Sequence, residues 1–182
     1  MSGRLRVREN QQMDDLVAGS APTAHHAFLL QSLAWKRSHV LEAIEGLDDE
    51  ALNRAHVASG WTPLDLVRHL TVDVERYWFQ AVMLAEPDAV AFASGDSSGW
   101  QVGVPEAYDD VVAAYRDEIT RSDRVLASLA PEAKPRWVEG AVGRADLTSV
   151  IVHVLVDTAT HAGQLDIVRE GIDGRQYLVV HP

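Results

Sequence analysis

A histidine, an aspartate and a second histidine follow one another at four-residue intervals near the end of the chain. They are His153, Asp157 and His161, within the segment VHVLVDTATHAGQLDIVRE of residues 152–170. Imidazole nitrogens and carboxylate oxygens are ligands by which proteins hold zinc and related divalent metals. Residues four apart on a helix rise only about 6 Å along its axis, so Asp157 and His161 can enter one coordination sphere. The spacing predicts part of a metal site that takes a third ligand from another element.

Apolar residues surround this polar strip and indicate the direction in which it faces. At about 100° per residue, Asp157, His161 and Gln164 all fall within about 80° of His153 on a helical wheel. The apolar residues that flank the strip are Val154 and Leu165 on one side and Val156 and Ile167 on the other. We therefore expect the strip to face the interior, where an ionised carboxylate is costly unless it is paired or binds a metal. The part of the wheel expected to face solvent carries Asp166, Arg169 and Glu170.

A histidine in a second amphipathic segment is the best candidate for the third ligand. His69 lies between the apolar residues Leu66 and Leu70 of SGWTPLDLVRHL. The remaining histidines are weaker candidates because they lie at a helix start, in a connection, in the tail or among mixed neighbours: His25, His26, His39, His56 and His181. We predict a metal site formed by His69, Asp157 and His161, with an auxiliary role for His153. The alternative is a hydrogen-bonded polar strip without a metal.

Four long segments carry the three- and four-residue spacing of apolar residues that is typical of helices. The predicted helices span about residues 22–46, 62–84, 105–131 and 147–170. Thr62, Pro63 and Asp65 provide a start signal for the second helix, and Gly171 is predicted to end the fourth. The only strand-like stretch is the short YLVV near the end of the chain, so we predict an all-α four-helix bundle. Long connections, both predicted to be irregular, follow its second and third helices.

The length of 182 residues and a hydrophobic content of 47% favour one domain with a substantial core. We expect a flexible leader over residues 1–21, the bundle over residues 22–174 and a C-terminal tail over residues 175–182. The leader lacks the apolar core of a secretory signal, and no run is long enough to span a membrane, so we expect a cytoplasmic protein.

Charge and cysteine content limit the partners and the chemistry. The formal net charge is -11 at pH 7, which argues against nucleic-acid and anionic-membrane partners, because those are bound largely by clustered Lys and Arg. The chain has no cysteine, which excludes a thiolate metal site and a cysteine nucleophile of its own. Any thiol chemistry therefore needs a thiol from outside the protein.

Two segments carry a resemblance to a known group of proteins. They are GLDDEALNRAHVASGWTPLDLVRHLTVDVERYWFQAVM, residues 46–83, and VIVHVLVDTATHAGQLDIVREGIDG, residues 150–174. With the helices between them, the chain resembles the DinB-like superfamily of metal-binding four-helix bundles over about residues 22–174. Within it, the chain is most similar to the mycothiol S-transferase branch, which includes mycothiol-dependent maleylpyruvate isomerases. The superfamily pattern places metal ligands at His69, Asp157 and His161.

This chain departs from the pattern at four positions. Related sequences tend to carry Glu where this chain has Asp157, and His where it has Gln164. They often carry Arg where it has Thr148 and Thr160. The shorter Asp157 side chain predicts a longer or bent metal bond, and the other changes concern which thiol or substrate is accepted.

The resemblance implies an activity and a set of partners. Mycothiol would be activated as a thiolate at a divalent metal. We expect zinc, and nickel, iron and manganese are the other candidates. The thiolate would attack a small electrophile, in a protein expected to be a homodimer. Asp73 is placed to orient the imidazole of His69, and Arg76 to meet an anionic group of a ligand. The alternative for Asp73 and Arg76 is an ordinary surface ion pair.

Two other functions fit the same residues. In a metal-dependent hydrolase, the open metal position would hold water instead of sulfur. In a non-enzymatic bundle, the metal would be structural or absent, and the protein would act by dimerising or by binding a ligand. Trp35, Tyr77 and Trp78 are candidates for the lining of a substrate pocket or, alternatively, for the core.

Overall fold

The computed structural model describes residues 23–95, 99–100 and 104–177. These residues form helices α1 (Ala24–Ile44), α2 (Asp49–Asn53), α3 (Pro63–His69), α4 (Pro87–Ala93), α5 (Tyr108–Ser128) and α6 (Leu147–Asp173), with a 3-10 turn at Glu139–Ala141. Helix α3 continues directly into a π-helical segment, Leu70–Met83. The described part of the chain contains no strand, which confirms the all-α prediction. The predicted leader and most of YLVV lie outside the described residues.

Helix α3 starts at the predicted signal. The Thr62 hydroxyl accepts a hydrogen bond from the Asp65 amide at 3.1 Å, and the Asp65 carboxylate accepts one from the Thr62 amide at 2.9 Å. Pro63 occupies the first turn, where a missing N–H costs nothing. This reciprocal capping fixes the beginning of the helix that carries His69.

The π-helical segment is 14 residues long, whereas π-helix usually occurs as single-turn bulges. Its buried side chains recur at four-residue steps in two rows: Leu70, Val74, Trp78 and Val82, and Thr71, Glu75, Phe79 and Met83. The same step lines up His69, Asp73 and Tyr77 along a third row, which is only partly buried. The segment therefore buries two rows in the core and presents the third at its edge.

Packing of the long helices forms a single apolar core. Helix α1 packs along α6, while α4 and α5 pack against the π-helical segment. The core includes fully buried side chains from α1, α3, the π-helical segment, α5 and α6. They are Leu33, Ile44, Leu66, Phe79, Tyr115, Ile151 and Leu165. None of the helices in the described ranges is long and apolar enough to cross a bilayer.

A buried ion pair links α1 to the π-helical segment. The Arg37 guanidinium donates to both carboxylate oxygens of Glu75, each at 2.7 Å, and both side chains are buried. Arg37 also donates to Asp123 at 2.8 Å, but the Asp123 side chain is 61% exposed. The Glu75 charge is therefore neutralised inside the core by a two-point contact.

Two predictions are wrong: the end of the fourth helix and the irregular conformation of the connection after the second. Helix α6 passes through Gly171 and ends at Asp173, because Gly174 adopts the left-handed conformation with φ 78° that stops a helix. The connection after the second predicted helix is not irregular throughout, since it contains α4. Pro87 opens α4 at a position that tolerates proline.

The polar strip lies at the edge of the buried face of α6, not inside it. Val154 and Leu165 are buried as predicted, but Val156 is 59% exposed and Ile167 is 74% exposed. The prediction of two buried flanks is therefore half wrong.

The expected solvent side of α6 needs a similar correction. Arg169 is buried and donates to the backbone carbonyls of Ala43 and Glu45 at the end of α1. Asp166 is 2.8 Å from Nε2 of the buried His39. Asp166 and Arg169 therefore face α1, which packs against α6, while Glu170 is exposed as expected.

Candidate metal centre

The three predicted ligands meet between two helices. His69 is the last residue of α3, and Asp157 and His161 lie one turn apart on α6. One ligand atom from each lies within 4.8 Å of those of the other two, and all three side chains are partly buried. The structure thus brings together the residues that the sequence singled out, while binding of a metal stays a prediction.

Hydrogen bonds to the two imidazoles fit a metal site. His69 Nδ1 is 2.8 Å from Asp73 Oδ2, and His161 Nδ1 is 2.8 Å from the amide oxygen of Gln164. Because both partners are acceptors, each Nδ1 carries a hydrogen and each neutral ring keeps its Nε2 lone pair. Two Nε2 atoms and one carboxylate oxygen are the donors of known catalytic zinc sites with an open position. The residues present therefore fit a divalent metal.

A proton and a metal ion compete for this cluster. The hydrogen bond from His161 holds the pKa of Asp157 below its ordinary value, in spite of burial. Burial alone would lower the pKa of His161, but its hydrogen bonds to Asp157 and Gln164 raise that pKa above its ordinary value. His161 Nε2 lies 3.3 Å from Asp157 Oδ1, so a proton on Nε2 would bridge the pair. Metal binding must displace that proton.

Asp73 is held in place from the opposite side by the backbone of Gly99. Both carboxylate oxygens of Asp73 accept the Gly99 N–H, at 2.9 and 3.0 Å. A Cβ at Gly99 would lie 2.8 Å from Asp73 Oδ2 and 3.0 Å from the Cα of His69. Only glycine lets the backbone approach this closely. The contact is consistent in geometry with an orienting role of Asp73, which stays a prediction.

Trp100 covers one face of His69. The two rings stack with their centroids 4.5 Å apart and an interplanar angle of 22°. Arg68 anchors the neighbouring backbone by donating to the Gly99 carbonyl at 2.6 Å, and it also pairs with Asp65 and Glu106. Sequence reasoning missed Gly99 and Trp100, because they lie in a connection without periodic spacing.

A cavity of about 370 Å³ opens beside the candidate ligands. Its lining consists of Val72, Asp73, Tyr77, Trp78, Phe92, Ala93, His153 and Asp157. A larger cavity, of about 590 Å³, lies between α1 and the end of α5 and is lined by none of the predicted ligands. The smaller cavity is the candidate substrate site, since Asp157 and Asp73 form part of its wall.

His153 reaches this cavity from α6 with a partner that the sequence did not reveal. Arg144 Nη2 lies 3.0 Å from His153 Nδ1, and the His153 ring meets the edge of Trp78 with centroids 4.4 Å apart. Burial and the Arg144 charge lower the pKa of His153 from its ordinary value, and Asp157 opposes them. Burial and the Arg144 charge thus favour the neutral form of the His153 imidazole beside the predicted ligands.

Two residues with predicted roles do not line this cavity: Arg76, expected to meet an anionic group of a ligand, and Trp35, a candidate for a pocket or for the core. The Arg76 guanidinium lies 5.5 Å from the ring centre of Phe92 and does not line the cavity. Its Nε atom is buried without a hydrogen-bond partner among the residues that the structure describes. Trp35 is 51% exposed on α1 and takes no part in the site, whereas Tyr77 and Trp78 line the cavity as expected.

The fold and the site together define a helical bundle with a two-histidine, one-aspartate cluster beside an open cavity. The chain belongs to the mycothiol S-transferase family: the family model described as Mycothiol-S-transferase matches residues 28–174. That family is part of the DinB-like superfamily, so the resemblance seen in the sequence is confirmed. No curated protein and no solved structure matches the chain significantly.

Proposed function

We propose that this protein is a metal-dependent thiol transferase that joins mycothiol to a small electrophile. The observation that carries the proposal is the meeting of His69, Asp157 and His161, each imidazole held through Nδ1, in a member of the mycothiol S-transferase family. A divalent metal bound there, zinc by our proposal, supplies the positive charge that turns an entering thiol into a thiolate near neutral pH.

The residues of the chain orient a candidate ligand and form the walls of the cavity. Asp73 fixes the ring of His69, and Trp100 restricts its movement by stacking. Trp78 and Phe92 give the cavity apolar walls on which the electrophile can rest. Because the chain has no cysteine, the attacking sulfur belongs to the cosubstrate. Conjugation, or isomerisation through a transient adduct, follows from the same arrangement.

Metal content tests the ligand set. Wild type purified without added metal is expected to hold about one zinc-like ion per chain by mass spectrometry, and Asp157→Ala and His161→Ala are expected to lose it. Two matched controls, Asp117→Ala and His25→Ala, remove exposed side chains of the same types and should keep the ion. Wild type that stays metal-free even after zinc is offered would refute the metal site.

Thiol consumption tests the reaction. Wild type with mycothiol and an electrophile should consume both in equal amounts, and His69→Ala should not. Ester hydrolysis without any thiol would instead identify a hydrolase at the same ligands. A metal-loaded protein without either activity would support the non-enzymatic alternative.

We also propose a homodimer. Light scattering in solution gives the mass directly, and a mass near 20.0 kDa, that of one chain, would refute the dimer.

A further inference from the structure

Arg144 dictates the hydrogen-bonding state of His153. A guanidinium has five donors and no acceptor, so a nitrogen that lies 3.0 Å from Arg144 Nη2 must accept. The accepting atom is Nδ1, and a neutral imidazole that accepts at Nδ1 carries its proton on Nε2. The contact therefore selects the Nε2–H tautomer of His153.

The surroundings of Arg144 hold it beside His153. The guanidinium lies over Trp78, with Cζ 5.9 Å from the ring centre, and Trp78 is buried. Arg144 follows the 3-10 turn, whose Gly140 carbonyl accepts a 2.9 Å hydrogen bond from the Tyr77 hydroxyl. Tyr77 and Trp78 both belong to the cavity wall, so the turn and the cavity are tied together.

In this tautomer, His153 offers a hydrogen-bond donor to the cavity. The ring lines the cavity together with Asp157, and its Nδ1 is engaged by Arg144. The atom left for a molecule in the cavity is Nε2–H. A neutral imidazole can stabilise a developing oxyanion by hydrogen bonding without giving up its proton.

Resting on the proposed function, we infer that Arg144 is a positioning residue that keeps His153 as an Nε2–H donor to an electrophile whose oxygen gains negative charge. In a conjugated carbonyl compound, the thiolate sulfur forms a bond to the β carbon. The C=C pair moves to the neighbouring C–C bond, and the carbonyl pair moves to oxygen. His153 donates a hydrogen bond to that oxygen and keeps its proton. The carbonyl bond then re-forms as the α carbon takes a proton from water, and the proton that the thiol released to solvent neutralises the hydroxide that is left. An alkyl halide releases its charge as halide instead.

The tautomer can be measured without any turnover. In protein with ¹⁵N-labelled imidazoles, the two ring nitrogens of His153, assigned from their loss in His153→Gln, should show the pure Nε2–H pattern at neutral pH. Arg144→Met should shift both signals towards a mixture of tautomers, whereas Arg144→Lys, also a pure donor, should retain the wild-type pattern. A wild-type Nδ1–H pattern, or an unchanged spectrum in Arg144→Met, would overturn the inference.

Kinetics with two electrophiles test whether His153 stabilises an oxyanion. With mycothiol and cyclohexenone, Arg144→Met should lower kcat about tenfold at unchanged metal content, a modest share of what one oxyanion donor contributes. With benzyl chloride, whose reaction develops no oxyanion, the kcat of Arg144→Met should change less than about twofold. In a His153→Gln background, Arg144→Met should add nothing, because the two residues act as a unit. Arg136→Met removes an exposed arginine of the same connection and should match wild type.

The outcomes distinguish the role of Arg144 from the proposed function. Equal losses with both electrophiles, or an equal loss in Arg136→Met, would refute the role of His153 as an oxyanion donor. Wild type without turnover of either electrophile would refute the proposed function, while the tautomer measurement would still decide the role of Arg144.

Discussion

The Asp73 carboxylate joins the candidate ligand His69 to the backbone of Gly99. It accepts from His69 Nδ1 at 2.8 Å and is itself fixed by the Gly99 amide. Asp73→Asn removes the charge that orients the ring, so affinity for zinc should fall about 10- to 100-fold, as for other outer partners of ligating histidines. Competition with a chelator measures this affinity. Asp117→Asn is the matched control, and an affinity equal to that of the control would contradict the role of Asp73.

Gly99→Ala should disturb the same contact from the other side. The new Cβ would lie 2.8 Å from Asp73 Oδ2, so the carboxylate must shift and metal affinity should fall. Gly163→Ala is the matched control, because a Cβ there meets nothing within 4 Å. That control should keep its metal affinity and gain up to about 1 kcal/mol of stability, since alanine is the better helix former. Equal metal affinities for the two variants would show that the Gly99 contact is dispensable.

The candidate ligands and the Asp73 contact could be predicted from the sequence, but the contacts of Trp100 and Arg144 could not. Asp157 and His161 share one helix, where four-residue spacing alone brings side chains together. Trp100 and Arg144 lie in connections, where the sequence has no regular spacing of apolar residues. Their contacts depend on how the connections fold back onto the helices, which is a property of the tertiary structure.

Among the elements, the start of α6 depends on its cap. Asp146 accepts from the Ser149 amide at 2.9 Å, and the Ser149 hydroxyl accepts from the Asp146 amide at 3.0 Å. Asp146→Ala should cost about 1 kcal/mol of stability at neutral pH, the usual value of such a cap. Urea unfolding monitored by circular dichroism measures the loss, with Asp117→Ala as the exposed control. A loss no larger than that of the control would contradict a capping role.

The contribution of this cap should depend on pH. Hydrogen bonds from Ser149 hold the pKa of Asp146 below its ordinary value of 3.8. Because the unfolded chain binds the proton more tightly, the cap stabilises the fold fully above that value, and the effect disappears as pH falls through the lower folded pKa. The stability difference between wild type and Asp146→Ala should therefore shrink below about pH 4. A difference that stays constant into strong acid would exclude the carboxylate as the cause.

Helix positions followed from the sequence more readily than helix type or exposure. Apolar spacing placed the four long helices, but the same spacing suits α and π winding, so the π-helical segment could not be foreseen. The helical wheel predicted Val156 and Ile167 to lie on a buried flank, but both are exposed. A wheel records residue type and angle and not the position of the neighbouring helix.

For the whole molecule, the buried Arg37–Glu75 pair is a direct link between α1 and the π-helical segment. Arg37→Met leaves a buried carboxylate without its partner and should cost about 3–5 kcal/mol. Asp123→Asn touches only the exposed arm of the same cluster and should cost less than about 1 kcal/mol. Thermal and urea unfolding measure the stability that each of the two variants loses. The double variant Arg37→Met with Glu75→Leu should recover part of the loss, and equal losses for Arg37→Met and Asp123→Asn would refute this ranking.

The connection after α5 also joins distant parts of the molecule. The Val82 carbonyl at the end of the π-helical segment accepts from the amides of both Arg136 and Trp137, and the Leu147 amide donates to the Ala133 carbonyl. A protease must draw a segment into an extended shape before it can cut, and these backbone bonds oppose that. Residues 133–147 should therefore survive limited digestion of the native protein in spite of their irregular conformation, and a nick there would report opening of the whole bundle.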